Sequence, residues 1–189
     1  NGVGDPGFIY SWLPAAGLSS PTVANPIASP TTTTVYTVTA TDGNGIQATN
    51  NTTITVNPLP TLTAATQSAT VCVGSGAVIN SSGLLPGSTS TISYSINGVA
   101  QAPIAGVVAN GAGVGSLTTS NLAAVNNGQN LQITGITVTS AAPNCSSPFA
   151  VNTLLSVDSP AAITVQPIAN TTLCVGSAFN LSVTATGTG

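Results

Sequence analysis

Thr34-Val35-Tyr36-Thr37-Val38-Thr39-Ala40-Thr41 alternates apolar and hydroxyl side chains over eight residues. Successive side chains of an extended chain point to opposite faces. Tyr36, Val38 and Ala40 therefore share one face, and Val35, Thr37 and Thr39 the other. A period of two marks a half-buried β-strand. The same period recurs further on. Ile54 and Val56 alternate with Thr53 and Thr55, and Ile92, Tyr94 and Ile96 alternate with Ser93 and Ser95. Asn97-Gly98 follows at once, a two-residue hairpin signal. Leu131, Ile133 and Gly135 lead into Ile136-Thr137-Val138-Thr139. No apolar pattern of period 3.6 is sustained. The best helical candidate, Asn121-Leu122-Ala123-Ala124-Val125, is one or two turns long. Short strands separated by turn signals predict an all-β chain built as a β-sandwich.

Composition limits what such a chain can do. Its 189 residues contain no Lys, Arg, His or Glu, and its only acidic side chains are Asp5, Asp42 and Asp158. General acid–base catalysis draws on His, carboxylates or Lys near their working pH. Serine nucleophiles need a neighbouring base. Phosphate and nucleic-acid binding lean on Lys and Arg. The sequence thus offers no catalytic, cofactor-binding or metal-binding constellation, and nucleic acid is excluded as a partner. No run of 18 apolar residues is present, so direct membrane insertion by a helix is not expected. Met is absent, position 1 included, and the numbered chain reads as a mature or internal piece of something longer. Soluble domains keep about a quarter of their residues charged. Here the figure is 2%, and 30 threonines supply much of the polar surface. Near-neutral surfaces favour association.

Pro-containing joints divide the strands. Val56-Asn57-Pro58-Leu59-Pro60 ends one unit, and Val157-Asp158-Ser159-Pro160 ends the next. Proline fixes φ and removes a donor, which suits short stiff connections. An internal repeat supports the division. Cys72-Val73-Gly74-Ser75 returns 102 residues later as Cys174-Val175-Gly176-Ser177. Residues 58–158 then form one complete domain. Residues 1–57 are the C-terminal half of such a domain, and residues 159–189 the N-terminal half of a further one. Joined from 189 to 1, the two halves make close to one whole domain.

Tyr10-Ser11-Trp12, Ser29-Pro30-Thr31-Thr32-Thr33, Tyr36 to Asp42, Thr55-Val56-Asn57-Pro58 and the two Cys-Val-Gly-Ser openings carry a resemblance. Nearly the whole chain resembles the Ig-like and PKD-like repeats of very large secreted surface proteins of Bacteroidota, including gliding-motility adhesin-type proteins. The resemblance implies tandem Ig-like β-sandwich domains, export by the type IX system, and display outside the cell at its surface. One departure stands out. Asp42-Gly43-Asn44-Gly45 is followed by Ile46 where the family often has Cys. The partner expected for Cys174 is therefore missing.

Several residues admit two readings. Cys72 and Cys145 fall within the central unit, as a metal or redox site or as one disulfide in an oxidising compartment. No His, third Cys or CxxC spacing lies there, and the disulfide is the expectation. Cys174 is a small apolar side chain or a cross-link to another chain. Asp42-Gly43-Asn44-Gly45 is a calcium corner or a hairpin turn, and three carboxylates in the whole chain argue for the turn. Trp12 and Tyr36 stack on sugars or belong to the core. Trp12 fits the inward Trp of a sandwich and Tyr36 a tyrosine corner. Tyr94 joins them as a core aromatic through its alternation.

The resulting expectation is a non-catalytic structural repeat of an extracellular filament or adhesin stalk, extending a distal adhesive region. Its partners are other copies of the same repeat in a linear array or fibre. The alternative is a module that binds glycans or surfaces itself.

Overall fold

The computed structural model describes residues 7–187. Asp5 and both sides of the expected 189-to-1 junction lie outside them. The chain divides into two compact units that meet at Pro58 and Leu59.

The first unit is one antiparallel sheet. Strands β1 (Ile9–Leu13), β2 (Thr34–Thr41) and β3 (Gln47–Ile54) lie in the order β1-β2-β3. Trp12 sits opposite Val38, and Val38 opposite Asn50. Residues directly opposite share a face. Tyr10, Trp12, Tyr36, Val38, Asn50 and Thr52 therefore line one side. Tyr36 is 1% exposed, while β3 is exposed along all but its last residue.

The second unit is a sandwich. Its strands are β4 (Ala64–Gln67), β5 (Val71–Cys72), β6 (Gly76–Ser82), β7 (Thr89–Ile96), β8 (Val99–Ala100), β9 (Ile104–Val108), β10 (Val114–Asn121), β11 (Asn130–Val138), β12 (Cys145–Leu154) and β13 (Val157–Asp158). One sheet has the order β10-β6-β4; the other has β12-β11-β7-β8, with β9 also pairing β7. Ala65, Ala77, Ile79 and Leu117 from the first pack with Ile92, Tyr94, Ile96, Leu131, Ile133 and Ile136 from the second. β5 and β13 run parallel and close the domain, Val71 opposite Val157 and Cys72 opposite Asp158. Asn97 and Gly98 both take positive φ, 48° and 78°, in the turn that pairs Ile96 with Val99. The only helical turn among the described residues is a 3-10 turn at Ala124–Asn126, close to the short candidate expected.

Residues 159–187 fall with this second unit. They form a hairpin of β14 (Ala162–Val165) and β15 (Thr184–Thr186), and every residue from 160 to 187 is exposed.

Two expectations change. The Cys72–Cys145 disulfide does not form. Cys145 opens β12 opposite Val138, and Leu154 closes it opposite Asn130. Cys72 lies beside Asp158, just beyond that far end. Ten extended residues at about 3.3 Å each put about 30 Å between the two cysteines, against a Cα limit of about 7 Å for a disulfide. Trp12, expected in the core, is only half-buried. Among the described residues of this unit, no second sheet covers it.

Candidate functional site

The open face of the first unit is built by its strand period. Tyr10 and Trp12 come from β1, Tyr36 and Val38 from β2, and Asn50 and Thr52 from β3. The 20-residue link from Pro14 to Thr33 folds back across one end of this face. Ser19 donates its N–H to the Ile27 carbonyl at 2.8 Å, and Ser29 to the Gly17 carbonyl at 2.7 Å. Trp12 Nε1 donates to the Val23 carbonyl at 2.9 Å, which fixes the indole edge. The Tyr36 hydroxyl donates to the Ala16 carbonyl at 2.8 Å. That partner lies 20 residues upstream, across the link, whereas a tyrosine corner bonds only a few residues back. Gly17 takes φ +78°, and a Cβ there would meet the Tyr36 hydroxyl at 2.9 Å. What stays open is an apolar groove of about 210 Å³ lined by Trp12, Leu18, Pro26, Ala28, Tyr36 and Ile54 among others. A second groove joins Trp12 to Val38, Asn50, Asn51 and Thr52.

The Asp42 segment is a turn. Asp42 Oδ1 accepts from the Asn44 and Ile46 N–H groups at 2.9 and 2.8 Å, and Gly45 takes φ +81°. Asn110 repeats this geometry in the second unit. Its Oδ1 accepts from Ala112 and Val114, both at 2.9 Å, and Gly113 takes φ +72°. An uncharged Asn makes the same set of bonds, so the loop needs no cation to hold its shape. The signal was in the sequence: Asn110-Gly111-Ala112-Gly113-Val114 matches Asp42-Gly43-Asn44-Gly45-Ile46 in spacing and type. Among the described residues, no three of His, Cys, Asp and Glu group together as metal ligands.

The closing strands of the sandwich depend on a residue that the sequence did not single out. Gln67 Oε1 accepts from the Ser156 N–H at 2.9 Å, and its Nε2 donates to the Ser156 carbonyl at 2.9 Å. Asn127 Oδ1 accepts from the Val157 N–H at 3.0 Å. These amides hold the approach to β13 against β5. Nothing in the local pattern around Gln67 marks this role, because its partner is 89 residues away.

Tyr94 is buried in the sandwich core. Cys72 and Cys174 are exposed, and Cys145 is half-buried with its Sγ 3.8 Å from the Pro143 carbonyl. Trp12 and Tyr36 are the two sequence-selected aromatics that the fold brings together.

No protein-family model and no curated protein matches this chain. Solved structures do. An I-band fragment from titin is similar with a TM-score of 0.53 at 15% identity, over 87% of this chain and 60% of that one. A structure of three Ig domains of titin, in an E-to-A mutated variant, has a TM-score of 0.55 at 16% identity, over 97% of this chain and 67% of that one. At such identities the likeness shows the fold: all-β and Ig-like, in tandem.

Proposed function

We propose that this chain is a non-catalytic structural repeat of an extracellular, cell-surface filament or adhesin stalk, exported through the type IX route that its motifs resemble, and that it spaces a distal adhesive region from the cell. The observation that carries this reading is a period present in both sequence and geometry. The Cys72 turn closes with the Ser75 N–H on the Cys72 carbonyl at 3.1 Å, and the Cys174 turn with the Ser177 N–H on the Cys174 carbonyl at 3.0 Å. Gly74 and Gly176 take φ of +88° and +89°. Repeated units suit length better than chemistry.

Genes encoding one, two and four copies in tandem test it. Small-angle scattering should give particles whose longest dimension grows in proportion to copy number. Compact particles would count against a stalk. The second reading, a glycan-binding module, rests on Trp12 lining two open grooves beside Asn50 and Asn51. A glycan array that responds to the intact chain and not to Trp12→Ala would favour it instead.

A further inference from the structure

Two segments of the chain with open apolar surface match complementary parts of the sandwich that lies between them in sequence. The sheet of the first unit, read β3-β2-β1, has the order and antiparallel pairing of β12-β11-β7 in the sandwich. Ile54-Thr55-Val56-Asn57 matches Leu155-Ser156-Val157-Asp158, the stretch that leads into and forms β13. Among the described residues, the first unit thus shows the second sheet of a sandwich and no counterpart of β4 and β6.

The hairpin 159–187 has the opposite composition. It shares a turn and a threonine bond with the β4–β6 hairpin, while its own strands pair Ala162 with Thr186, Ile163 with Ala185 and Val165 with Thr184. Besides the shared Cys-Val-Gly-Ser turn, Thr63 Oγ1 donates to the Ser82 carbonyl at 3.0 Å, and Thr164 Oγ1 to the Thr184 carbonyl at 3.3 Å. In the sandwich, Ala77, Ile79 and Ser81 of this hairpin are 0% exposed against the facing sheet. Their counterparts 102 residues on are Phe179, Leu181 and Val183, and all three are exposed, Leu181 at 73%.

We propose that the hairpin 159–187 of one copy docks on the open face of the first unit of a second copy. The packing continues an interface that the sandwich already makes within itself. A segment of this length is also in the range of roughly 20–30 residues a side that a stable interface uses. The contact is heterologous, so it adds copies head to tail, in an open line wherever the rotation does not close a ring. This deepens the structural-repeat reading by naming the partner: another copy of the same chain.

The register follows from the template. Cys72 lies opposite Asp158 in the closing pair, so Cys174 of one copy should lie opposite Asn57 of the next. The test is the full chain carrying Asn57→Cys, Cys72→Ser and Cys145→Ser, oxidised and run without reductant. The expected result is a ladder of dimers, trimers and higher steps. It should form about tenfold more cross-linked product than a Thr37→Cys control on the outer face, because docked neighbours react at an effective concentration of order millimolar. A cross-linked monomer would mean that the hairpin closes on its own chain, and overturns the proposal. No cross-link above the control also overturns it. Sedimentation of the unsubstituted chain gives an independent readout. It should associate with rising concentration, and Leu181→Asp, outside the sandwich, should hold it monomeric. A chain that stays monomeric throughout refutes docking between copies but leaves a covalent stalk of tandem repeats standing. Compact tandem particles would refute the stalk without touching this contact.

Discussion

At the scale of single residues, hydroxyl groups separate what stabilises this fold from what merely fits it. The Tyr36 hydroxyl ties β2 to the Pro14–Thr33 link through Ala16. Tyr36→Phe should lower the stability of the first unit by about 1 kcal/mol, the usual net worth of one hydrogen bond. Urea denaturation followed by the fluorescence of nearby Trp12 reads this directly. Ser81 is the reverse case. Its Oγ is buried without a hydrogen-bond partner among the described residues, and Val183 stands at the matching place in the repeat. Ser81→Ala should raise stability by about 1 kcal/mol by removing an unsatisfied hydroxyl, measured as a higher urea midpoint at unchanged slope. Tyr36 and Tyr94 were legible because each falls on the apolar side of a clear alternation. Ser81 was not, since an alternation that interleaves Ser with apolar residues does not say which serines face inward. Trp12 has the sequence context of a core residue because a sandwich normally closes two sheets over such a side chain; the described residues of its own unit form one.

Among elements, legibility followed period and turn chemistry. β2, β7 and β11 showed themselves by alternation, and Asn97-Gly98 by its need for positive φ at both positions. β12 was hidden. Its sequence carries Ser146, Ser147 and Pro148, and proline seldom sits inside a strand. The structure accommodates Pro148 opposite Gly135, where the β11–β12 register shifts. Nor could the spacing of Cys72 and Cys145 reveal that a whole strand length separates them. The element most exposed to a single substitution is the closing pair β5–β13. Gln67→Ala removes two hydrogen bonds to the Ser156 backbone, leaving its N–H without this partner while its carbonyl keeps the Val71 N–H. It should cost about 2 kcal/mol, two lost hydrogen bonds with one partly buried N–H left unsatisfied. Hydrogen exchange should show the loss first at Val71 and Val73, whose N–H groups bond to Ser156 and Asp158.

For the whole molecule, the near-absence of charge makes a prediction that most proteins would fail. The chain has no histidine, so no side chain ordinarily changes charge between about pH 5 and 8. Stability follows pH only through a difference in bound protons between the folded and unfolded states. The thermal midpoint should therefore stay level across that window, and a sloping midpoint would point to a carboxylate strongly altered by folding. The boundary near Pro58 was legible from its prolines, and the period from Cys-Val-Gly-Ser. What the sequence could not show was which sheet each half supplies, because that depends on pairing between strands far apart along the chain. The parallel closure of the sandwich has one last consequence. Its second strand β5 and its last strand β13 run in the same direction, so pulling the domain by its two ends loads the Val71–Ser156 and Val73–Asp158 bonds in shear. Bonds loaded sideways must rupture together, whereas bonds at a zipping end break singly and in turn. A single copy stretched in a force spectrometer should resist and then give way in one event. That event should release roughly 30 nm of contour, the length of about 90 residues at about 3.5 Å each.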